Sequence, residues 1–273
     1  MNSTIEQITL KKISWRIVPF VMFAYFIAFF DRINIGFAAL TMNQDLGFSP
    51  TVFGLGAGIF FLGYFLFEVP SNLILHKVGA RIWIARVMIT WGFVSGCMAF
   101  VQGTTSFYIL RFLLGVAEAG FFPGIILYLS YWFPAARRAQ VTAIFMAAAP
   151  LSTALGSPVS AALLEMHGFL GYAGWQWMFV LEALPALVLG VVVLFFLTDR
   201  PAKAKWLTDQ ECAWLENAMQ DEERARAAKQ SHSSAWRGLA DIRVLALALV
   251  YFGTSAGLYT LGIWSPQIIR SFG

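Results

Sequence analysis

The chain carries at 105–132 the sequence TSFYILRFLLGVAEAGFFPGIILYLSYW, an apolar run that is interrupted by charge only at Arg111 and Glu118. A helix rises about 1.5 Å per residue, so a run of this length can cross the roughly 30 Å hydrocarbon core of a bilayer. The strands of a membrane barrel alternate between apolar and polar residues instead. The run therefore predicts a transmembrane helix with charged residues inside it.

Six further apolar stretches have the length of a membrane span. Of the 273 residues, 59% are hydrophobic and 12% are charged, whereas about a quarter of the residues of a soluble domain are charged. We therefore predict an all-α membrane protein with seven spans. With 105–132 as span 4, the others lie at 15–41 (span 1), 51–75 (span 2), 82–101 (span 3), 139–164 (span 5), 177–197 (span 6) and 244–269 (span 7).

Basic residues lie in alternate connections between these spans. The N-terminal segment, the 2–3, 4–5 and 6–7 connections and the adjoining span ends at Arg16 and Arg86 hold 16 of the 19 Lys and Arg residues, and the other connections hold none. The remaining three are Arg32 and Arg111 inside spans and Arg270 after span 7. Because short loops rich in Lys and Arg stay on the cytoplasmic side, we expect a cytoplasmic N-terminus.

The spacing of the spans divides the chain into a six-span bundle at 1–198, a connection at 199–243 and a seventh span at 244–273. Within the connection, Thr-Asp-Gln-Glu at 208–211 has the form of a capping box and predicts an amphipathic helix over 208–228. We favour a tether and surface anchor for this helix over a regulatory docking site. Ser231–Ser234 then reads as a flexible linker. Because a lone seventh helix lacks partners, we expect the chain to be cut short after span 7.

Four charged residues at bilayer depth form the strongest candidate site: Asp31 and Arg32 in span 1, Arg111 and Glu118 in span 4. Counted from the outer helix ends, Arg111 lies about 9 Å deep, Asp31 about 15 Å and Glu118 about 20 Å. Intramembrane charges are costly and mark functional sites. Two cations beside two acids that gain and lose protons suit a proton-coupled anion site. Arginine suits the anion, because it binds a carboxylate through two parallel hydrogen bonds. The alternative is that Asp31–Arg32 and Arg111–Glu118 only pair to stabilise helix packing.

Weaker signals come from other polar residues and from prolines. Tyr64, about 20 Å into span 2, either presents its hydroxyl to a substrate or caps a neighbouring carbonyl. For Glu182 in span 6, we favour a bond to a helix end over a role in proton coupling. Pro150 and Pro158 predict a kink in span 5.

Other classes of function find little support in the sequence. Cys97 and Cys212 give neither a disulfide framework nor a zinc cluster, and His76, His167 and His232 all lie in connections. Metalloprotease, esterase and phosphate-loop motifs do not occur, so we expect no enzyme, no metal and no cofactor. A seven-span receptor or retinal protein is disfavoured by the charge bias and by the lack of lysine in span 7. A non-transporting membrane scaffold remains an alternative.

Four motifs then resemble one family. They are FDRINIGFA at 30–38, EVPSN at 68–72 leading to KVGAR at 77–81, RFLLGVAEAG at 111–120 followed by FPG, and GWQWMF at 174–179. Together they are similar to the anion:cation symporter branch of the major facilitator superfamily, over essentially the whole chain. The resemblance implies about twelve spans in two six-helix bundles that work by alternating access.

The resemblance also implies residue roles. Asp31 and Glu118 would be the proton-coupling carboxylates, and Arg32, Tyr64 and Arg111 would hold the carboxylate of the substrate. It further implies a gating turn between spans 2 and 3, formed by Lys77, Gly79 and Arg81, although His76 stands where the family often has an acid.

The expected function is proton-coupled symport of a small organic anion across a bacterial inner membrane, by a protein that is monomeric at full length and binds lipid but no nucleic acid. Members of the branch carry phthalate, tartrate, hydroxyphenylacetate and sugar acids. In span 5, Ala147–Ala149 form a smooth apolar stretch, which favours an aromatic or small hydroxy acid over a sugar acid. As it stands, we expect the chain not to transport alone.

Overall fold

In the computed structural model, residues 2–229 and 241–272 are described, and they form a helical bundle. The linker expected at Ser231–Ser234 lies outside these ranges. The α-helices of the described part are α1 (Asn2–Asp45), α2 (Pro50–Val78), α3 (Ala80–Cys97), α4 (Thr104–Glu118), α5 (Phe121–Trp132), α6 (Ala135–Met146), α7 (Ala148–Leu164), α8 (Gly174–Phe196), α9 (Asp209–Lys229) and α10 (Ile242–Ser271).

Seven helical segments of the described residues are long and apolar enough to cross a membrane, which confirms the predicted all-α membrane fold. We call the end of the bundle next to Lys12, Arg81 and Arg138 the basic end, and the opposite end the far end. The first helix begins at Asn2 rather than near residue 15. Hydropathy marks only the apolar part of this helix. The helix itself starts earlier, and Thr9 and Ile13, which precede the apolar run, are fully buried.

Span 4 is broken in the middle. Helix α4 ends at Glu118, and Gly120 adopts a left-handed conformation with φ of 86° before α5 begins. Pro123 lacks the N–H that would bond the Ala119 carbonyl in a continuous helix. The hydroxyl of Ser71 on α2 donates to that carbonyl instead, at 2.7 Å. The break therefore rests on three residues that a hydropathy profile does not register.

Span 5 is divided into α6 and α7 at Ala147. Pro150 lies in the first turn of α7 and cannot donate to the Met146 carbonyl, so the helical hydrogen bonding is interrupted at this proline and not between the two prolines. Pro158, in contrast, lies inside α7 without ending it.

Two glycines allow α2 and α4 to cross closely. A Cβ added to Gly63 on α2 would meet the backbone oxygen of Phe112 at 2.5 Å, and one on Gly115 of α4 would meet the backbone of Phe60. Small residues at helix crossings are typical of membrane bundles, because van der Waals packing there replaces the hydrophobic effect. This crossing places Glu118, one turn beyond Gly115, against α1 and α2.

Helix α9 lies across the basic end of the same bundle. The predicted capping box is confirmed: the Thr208 N–H donates to Glu211 at 2.8 Å and the Glu211 N–H donates to the Thr208 hydroxyl at 3.3 Å. Glu211 also accepts a hydrogen bond from Lys12 of α1 at 2.8 Å, and Leu215 is fully buried. Farther along, Glu222 accepts from the Ala135 N–H at the start of α6. The helix is thus docked on its own chain.

The first prediction concerns the α2–α4 crossing. Gly63→Ala places a methyl group against a backbone oxygen that cannot move aside, and we expect it to lower the free energy of unfolding by about 1–3 kcal/mol. Gly58→Ala on the same helix is the matched control, since nothing lies within 4 Å of a Cβ there. Unfolding in detergent, followed by circular dichroism, measures both. Equal effects of the two substitutions would refute the proposed close contact.

The second prediction concerns the docking of α9. Burial of the Glu211 carboxyl raises its pKa. The hydrogen bonds from Lys12 and from the Thr208 amide lower the pKa by more than burial raises it, so the pKa lies below its usual value. The stabilisation that Glu211 provides is therefore present above its unfolded-state pKa and is lost as the pH falls through its folded-state pKa. We expect Lys12→Met to speed hydrogen exchange of the α9 amides at neutral pH by about two- to fivefold, since a part-exposed pair contributes at most about 1 kcal/mol.

In acid this difference disappears, because the Glu211 carboxylate is then protonated in both proteins. Lys11→Met is the control, since Lys11 is exposed and is not the partner of Glu211. If Lys12→Met exchanges as the parent protein does at neutral pH, the ion pair does not hold α9 in place.

Candidate functional site

The four predicted charges are all buried in the bundle. Asp31 is 4% exposed, Arg32 7%, Arg111 1% and Glu118 3%, so none of them faces lipid. Adjacent residues on a helix point about 100° apart, and Asp31 and Arg32 accordingly face different neighbours of α1. We call these four residues the buried charge cluster.

Arg32 and Glu118 form an ion pair between α1 and α4. The guanidinium of Arg32 also donates to the hydroxyl of Tyr259 on α10, and it lies 5.1 Å from the centre of the Tyr64 ring. Neither pairing considered from the sequence, Asp31 with Arg32 or Arg111 with Glu118, is the one formed. The pair instead connects the two helices that the sequence marks as charged.

The break in span 4 explains why Glu118 needs this partner. As the last residue of α4, Glu118 lies at a helix C-terminus, where the helix dipole disfavours negative charge. A buried carboxylate in such a place is costly unless a cation compensates it. Arg32 supplies that charge, so the ionised form of Glu118 depends on a residue from another helix.

Arg111 is held differently. Its Nε donates to the Gly56 carbonyl at 3.2 Å and its Nη2 to the Ala57 carbonyl at 3.5 Å, both on α2, and it lies 4.9 Å from the centre of the Phe60 ring. Within 2–229 and 241–272, it has no acidic side chain within ion-pair distance. Arg111 is therefore a buried cation that is positioned by neutral groups.

Asp31 faces α3, away from the Arg32–Glu118 pair. The Ser95 hydroxyl donates to its Oδ1 at 2.5 Å, and the Asn34 amide donates to the same oxygen at 3.1 Å. The charges of Glu118 and Arg111 still act on it. The buried charge cluster thus consists of one ion pair and two separately held charges, rather than four side chains in mutual contact.

Tyr64 lies under the Arg32 guanidinium, and its ring packs 6.1 Å from that of Phe60. Tyr259 on α10 completes this aromatic environment, with its ring 4.8 Å from Phe61 and 6.0 Å from Phe29. Sequence reasoning missed Tyr259. Its recognition requires the packing of α10 against α1, which no local pattern in span 7 reveals.

The turn between α2 and α3 holds the three predicted gating residues. Gly79 has φ of 98°, a conformation that favours glycine, while Lys77 is exposed. The Arg81 N–H donates to Asp199 at 2.9 Å, and its side chain donates to the Leu194 carbonyl at 3.3 Å. Asp199 was also missed from the sequence. It follows α8 and brings a carboxylate to the turn, although His76 replaces the acid within the turn itself.

In the part of the chain that the structure describes, no three His, Cys, Asp or Glu side chains converge as metal ligands. The buried polar groups near the cluster are hydroxyls, amides, carboxyls and guanidiniums. Such a set can bind an anion and can gain or lose protons.

Comparison with known proteins gives consistent results. The model of the Major Facilitator Superfamily matches residues 21–273. A protein of Agrobacterium vitis named as a putative tartrate transporter is 78% identical over 100% of this chain and 63% of its own length. The putative metabolite transport protein NicT of Pseudomonas putida is 47% identical over 96% of the chain and 60% of its own length. The chain therefore spans about three fifths of the length of these relatives.

Solved structures share the fold at low sequence identity. The inward-open xylose transporter XylE from E. coli aligns with a TM-score of 0.64 at 15% identity, over 94% of this chain and 64% of that one. A bacterial homologue of the human lysosomal transporter Spinster, inward-facing and occupied, aligns with a TM-score of 0.63 over 71% of this chain and 46% of that one.

The third prediction tests the ion pair itself. Arg32→Met leaves Glu118 buried without its cation, and we expect it to lower the free energy of unfolding by about 3–5 kcal/mol. Adding Glu118→Gln removes the stranded charge, so the double variant regains most of that loss. Unfolding in detergent gives the coupling energy through a double-mutant cycle.

The pair Arg138–Glu222, 3.1 Å apart and with both side chains more than 20% exposed, provides the control. Its cycle should yield no more than about 1 kcal/mol. Additive effects at Arg32 and Glu118 would show that the two side chains do not depend on each other.

Proposed function

The chain belongs to the major facilitator superfamily, and from this premise we propose that it moves a small organic carboxylate together with protons by alternating access. The observation that carries the proposal is the Arg32–Glu118 ion pair beside Arg111, which has no carboxylate within ion-pair distance among the described residues. A carboxylate that is paired with an arginine can be replaced by the carboxylate of a substrate once the first carboxylate has been protonated. The pair thus links proton binding to anion binding.

The proposed cycle starts with a proton on Glu118. Protonation removes the negative charge that neutralises Arg32, and leaves two buried guanidiniums without an anion. A substrate carboxylate then binds Arg32 through two parallel hydrogen bonds, and Arg111 supplies the second positive charge. When Glu118 loses its proton it competes again for Arg32, so substrate and proton leave together.

We assign Asp31 as the second proton-coupling carboxylate and Tyr64 as a substrate-binding residue. Asp31 is held by neutral donors, so its negative charge is compensated only at a distance, by Arg111. A proton on Asp31 therefore raises the net positive charge of the cluster and favours the bound anion. The Tyr64 ring lies against Arg32, so its hydroxyl is within the same region as the proposed carboxylate.

For the substrate we propose a small hydroxy dicarboxylic acid such as tartrate. Two buried guanidiniums suit two carboxylates, and the hydroxyls of Tyr64 and Tyr259 suit a hydroxylated carbon chain. The relatives that are named as putative tartrate transporters support this choice. The preference does not rest on Ala148 and Ala149, which are packed in the core of the bundle.

The remaining assignments follow from the charge pattern and the family. We propose residues 1–198 as the N-terminal bundle, 199–243 as a cytoplasmic connection and 244–273 as the first helix of a second bundle. The N-terminus would face the cytoplasm of a bacterial inner membrane, and the protein would act as a monomer at full length. Lys77, Gly79 and Arg81 would form a gating turn, which is joined to Asp199 by the hydrogen bond from the Arg81 N–H.

The fourth prediction tests the transport assignments. Uptake of radiolabelled tartrate is measured in proteoliposomes with an inward proton gradient, using residues 1–273 joined to the C-terminal part of the Agrobacterium vitis relative, hereafter the extended chain. We expect Asp31→Asn and Glu118→Gln each to lower proton-driven uptake by about 100-fold or more, because each removes a proton-binding group.

Arg111→Ala should abolish substrate binding, and Arg111→Lys should not restore it, because lysine lacks the planar fork. Glu165→Gln is the matched control for the carboxyl variants, since Glu165 is exposed. Wild-type accumulation with a wild-type pH profile in both carboxyl variants would overturn the coupling assignment. Uptake of other organic acids in preference to tartrate would overturn the substrate assignment alone.

A further inference from the structure

A third carboxyl, Glu182 of α8, is buried in the same bundle and has no place in the cycle above. It is 3% exposed, and its Oε1 accepts a hydrogen bond from the Ser160 hydroxyl at 2.8 Å. Its Oε2 is buried and has no hydrogen-bond partner among the described residues. The sequence favours a bond to a helix end, whereas the structure shows a side chain of α7 as the partner.

Among residues 2–229 and 241–272, no cation forms an ion pair with Glu182. The helices packed against α8 are α1, α3 and α7, together with the short turn at 98–100. Helix α7 and this turn carry no charged residue, and Arg81 and Arg86 lie in the first two turns of α3 at the basic end. On α1, Arg32 is engaged by Glu118, and Asp45 accepts from Trp175 at the far end.

The charged group that acts on Glu182 is Asp31, and Asn34 lies between them. The Asn34 amide donates to Asp31, and its side chain also interacts with Glu182. From the far-end termini of their helices, Glu182 lies about 12 Å deep and Asp31 about 21 Å, while Asn34 is one turn above Asp31. A line of polar side chains therefore runs from the far end into the bundle. It consists of Ser160, Glu182, Asn34 and Asp31.

Two carboxylates without a cation between them cannot both remain ionised at low dielectric. An ionised Glu182 would leave Oε2 as an unsatisfied buried anion, whereas a protonated Glu182 has an O–H to donate. Asn34 has a second amide N–H as well as a carbonyl that can accept this O–H, so the choice between the two forms rests on the uncompensated charge of the carboxylate. The neutral acid therefore fits the site and the carboxylate does not.

We propose that Glu182 is a proton-storing residue that shares one proton with Asp31. In the resting state of this proposal the proton is on Glu182 and Asp31 is ionised. When Asp31 takes the proton, the O–H bond at Glu182 breaks and one forms at Asp31, so the negative charge moves to Glu182, which is protonated again from water at the far end. The role of Asp31 in transport rests on the proposed function, but the shared proton does not.

The fifth prediction tests the shared proton in this chain itself. Infrared spectra of the purified protein in detergent, recorded as a function of pH, report the carbonyl stretch of protonated carboxylic acids. At neutral pH we expect such a band in the parent protein, its loss in Glu182→Gln, and its retention in Glu165→Gln. In Asp31→Asn the band should disappear at lower pH, because the negative charge that opposes ionisation of Glu182 is gone.

A neutral-pH band that survives in Glu182→Gln would overturn the proposal, since the protonated acid would be another group. A Glu182 band whose titration is unchanged in Asp31→Asn would overturn it as well, since the two carboxyls would not share a proton. Glu182→Asp, which keeps a titrating carboxyl, should restore a band, and this excludes a general loss of structure in Glu182→Gln.

Uptake by the extended chain separates this proposal from the proposed function. If the proton is stored as described, Glu182→Gln should lower proton-driven uptake by about tenfold or more and change its pH profile, and Glu182→Asp should restore part of it. A parent protein without proton-driven uptake refutes the proposed function and leaves the infrared result standing. An unchanged pH profile in Glu182→Gln, beside an active parent protein, refutes the part of Glu182 in transport.

Discussion

The Arg32–Glu118 ion pair is the interaction on which the arrangement of the bundle depends. The helix dipole, the low dielectric and the absence of water all destabilise the charge of a carboxylate at a helix C-terminus inside a bilayer. An ionised Glu118 requires the guanidinium that α1 brings to the same place. Since this ion pair joins α1 to α4, the position of one helix affects the cost of charge on the other, and a proton on Glu118 would weaken the contact between them.

The break in span 4 places the Glu118 carboxylate at a helix end. Pro123 removes one helical hydrogen bond and Gly120 allows the left-handed turn, so the chain ends one helix and begins another in the middle of the span. Such a break in hydrocarbon is tolerated only where other groups bond the freed backbone. Ser71 does this at the Ala119 carbonyl, next to Glu118. Glu118 therefore lies at a helix terminus and not within a continuous helix. Small changes of the backbone at the break alter the surroundings of its carboxylate.

The sequence predicts what depends on local physics. Span number, the capping box at Thr208 and the burial of Asp31, Arg32, Arg111 and Glu118 all follow from hydropathy, helix chemistry and the cost of buried charge. The choice of partners does not, because the face that Arg32 turns to Glu118 depends on the rotation of α1 against α4. Tyr259 and Asp199 were missed for the same reason: each meets its partner across more than a hundred residues of chain. The break after Glu118 was missed because its decisive hydrogen bond comes from Ser71 on another helix.

In the function that we propose, the two faces of α1 separate proton binding from anion binding. Arg32 faces Glu118, Tyr64 and Tyr259, while Asp31, one residue earlier, faces Ser95 and shares Asn34 with Glu182. Because both residues are on one rigid helix, a change that moves α1 to satisfy one face must alter the contacts of the other. In the proposed cycle, protonation of Asp31 would weaken its attraction to Arg111, and an anion bound at Arg32 would replace the lost negative charge. In the proposed cycle the helix would thus couple proton binding and anion binding through charge balance and geometry, without any direct contact between Asp31 and the bound anion.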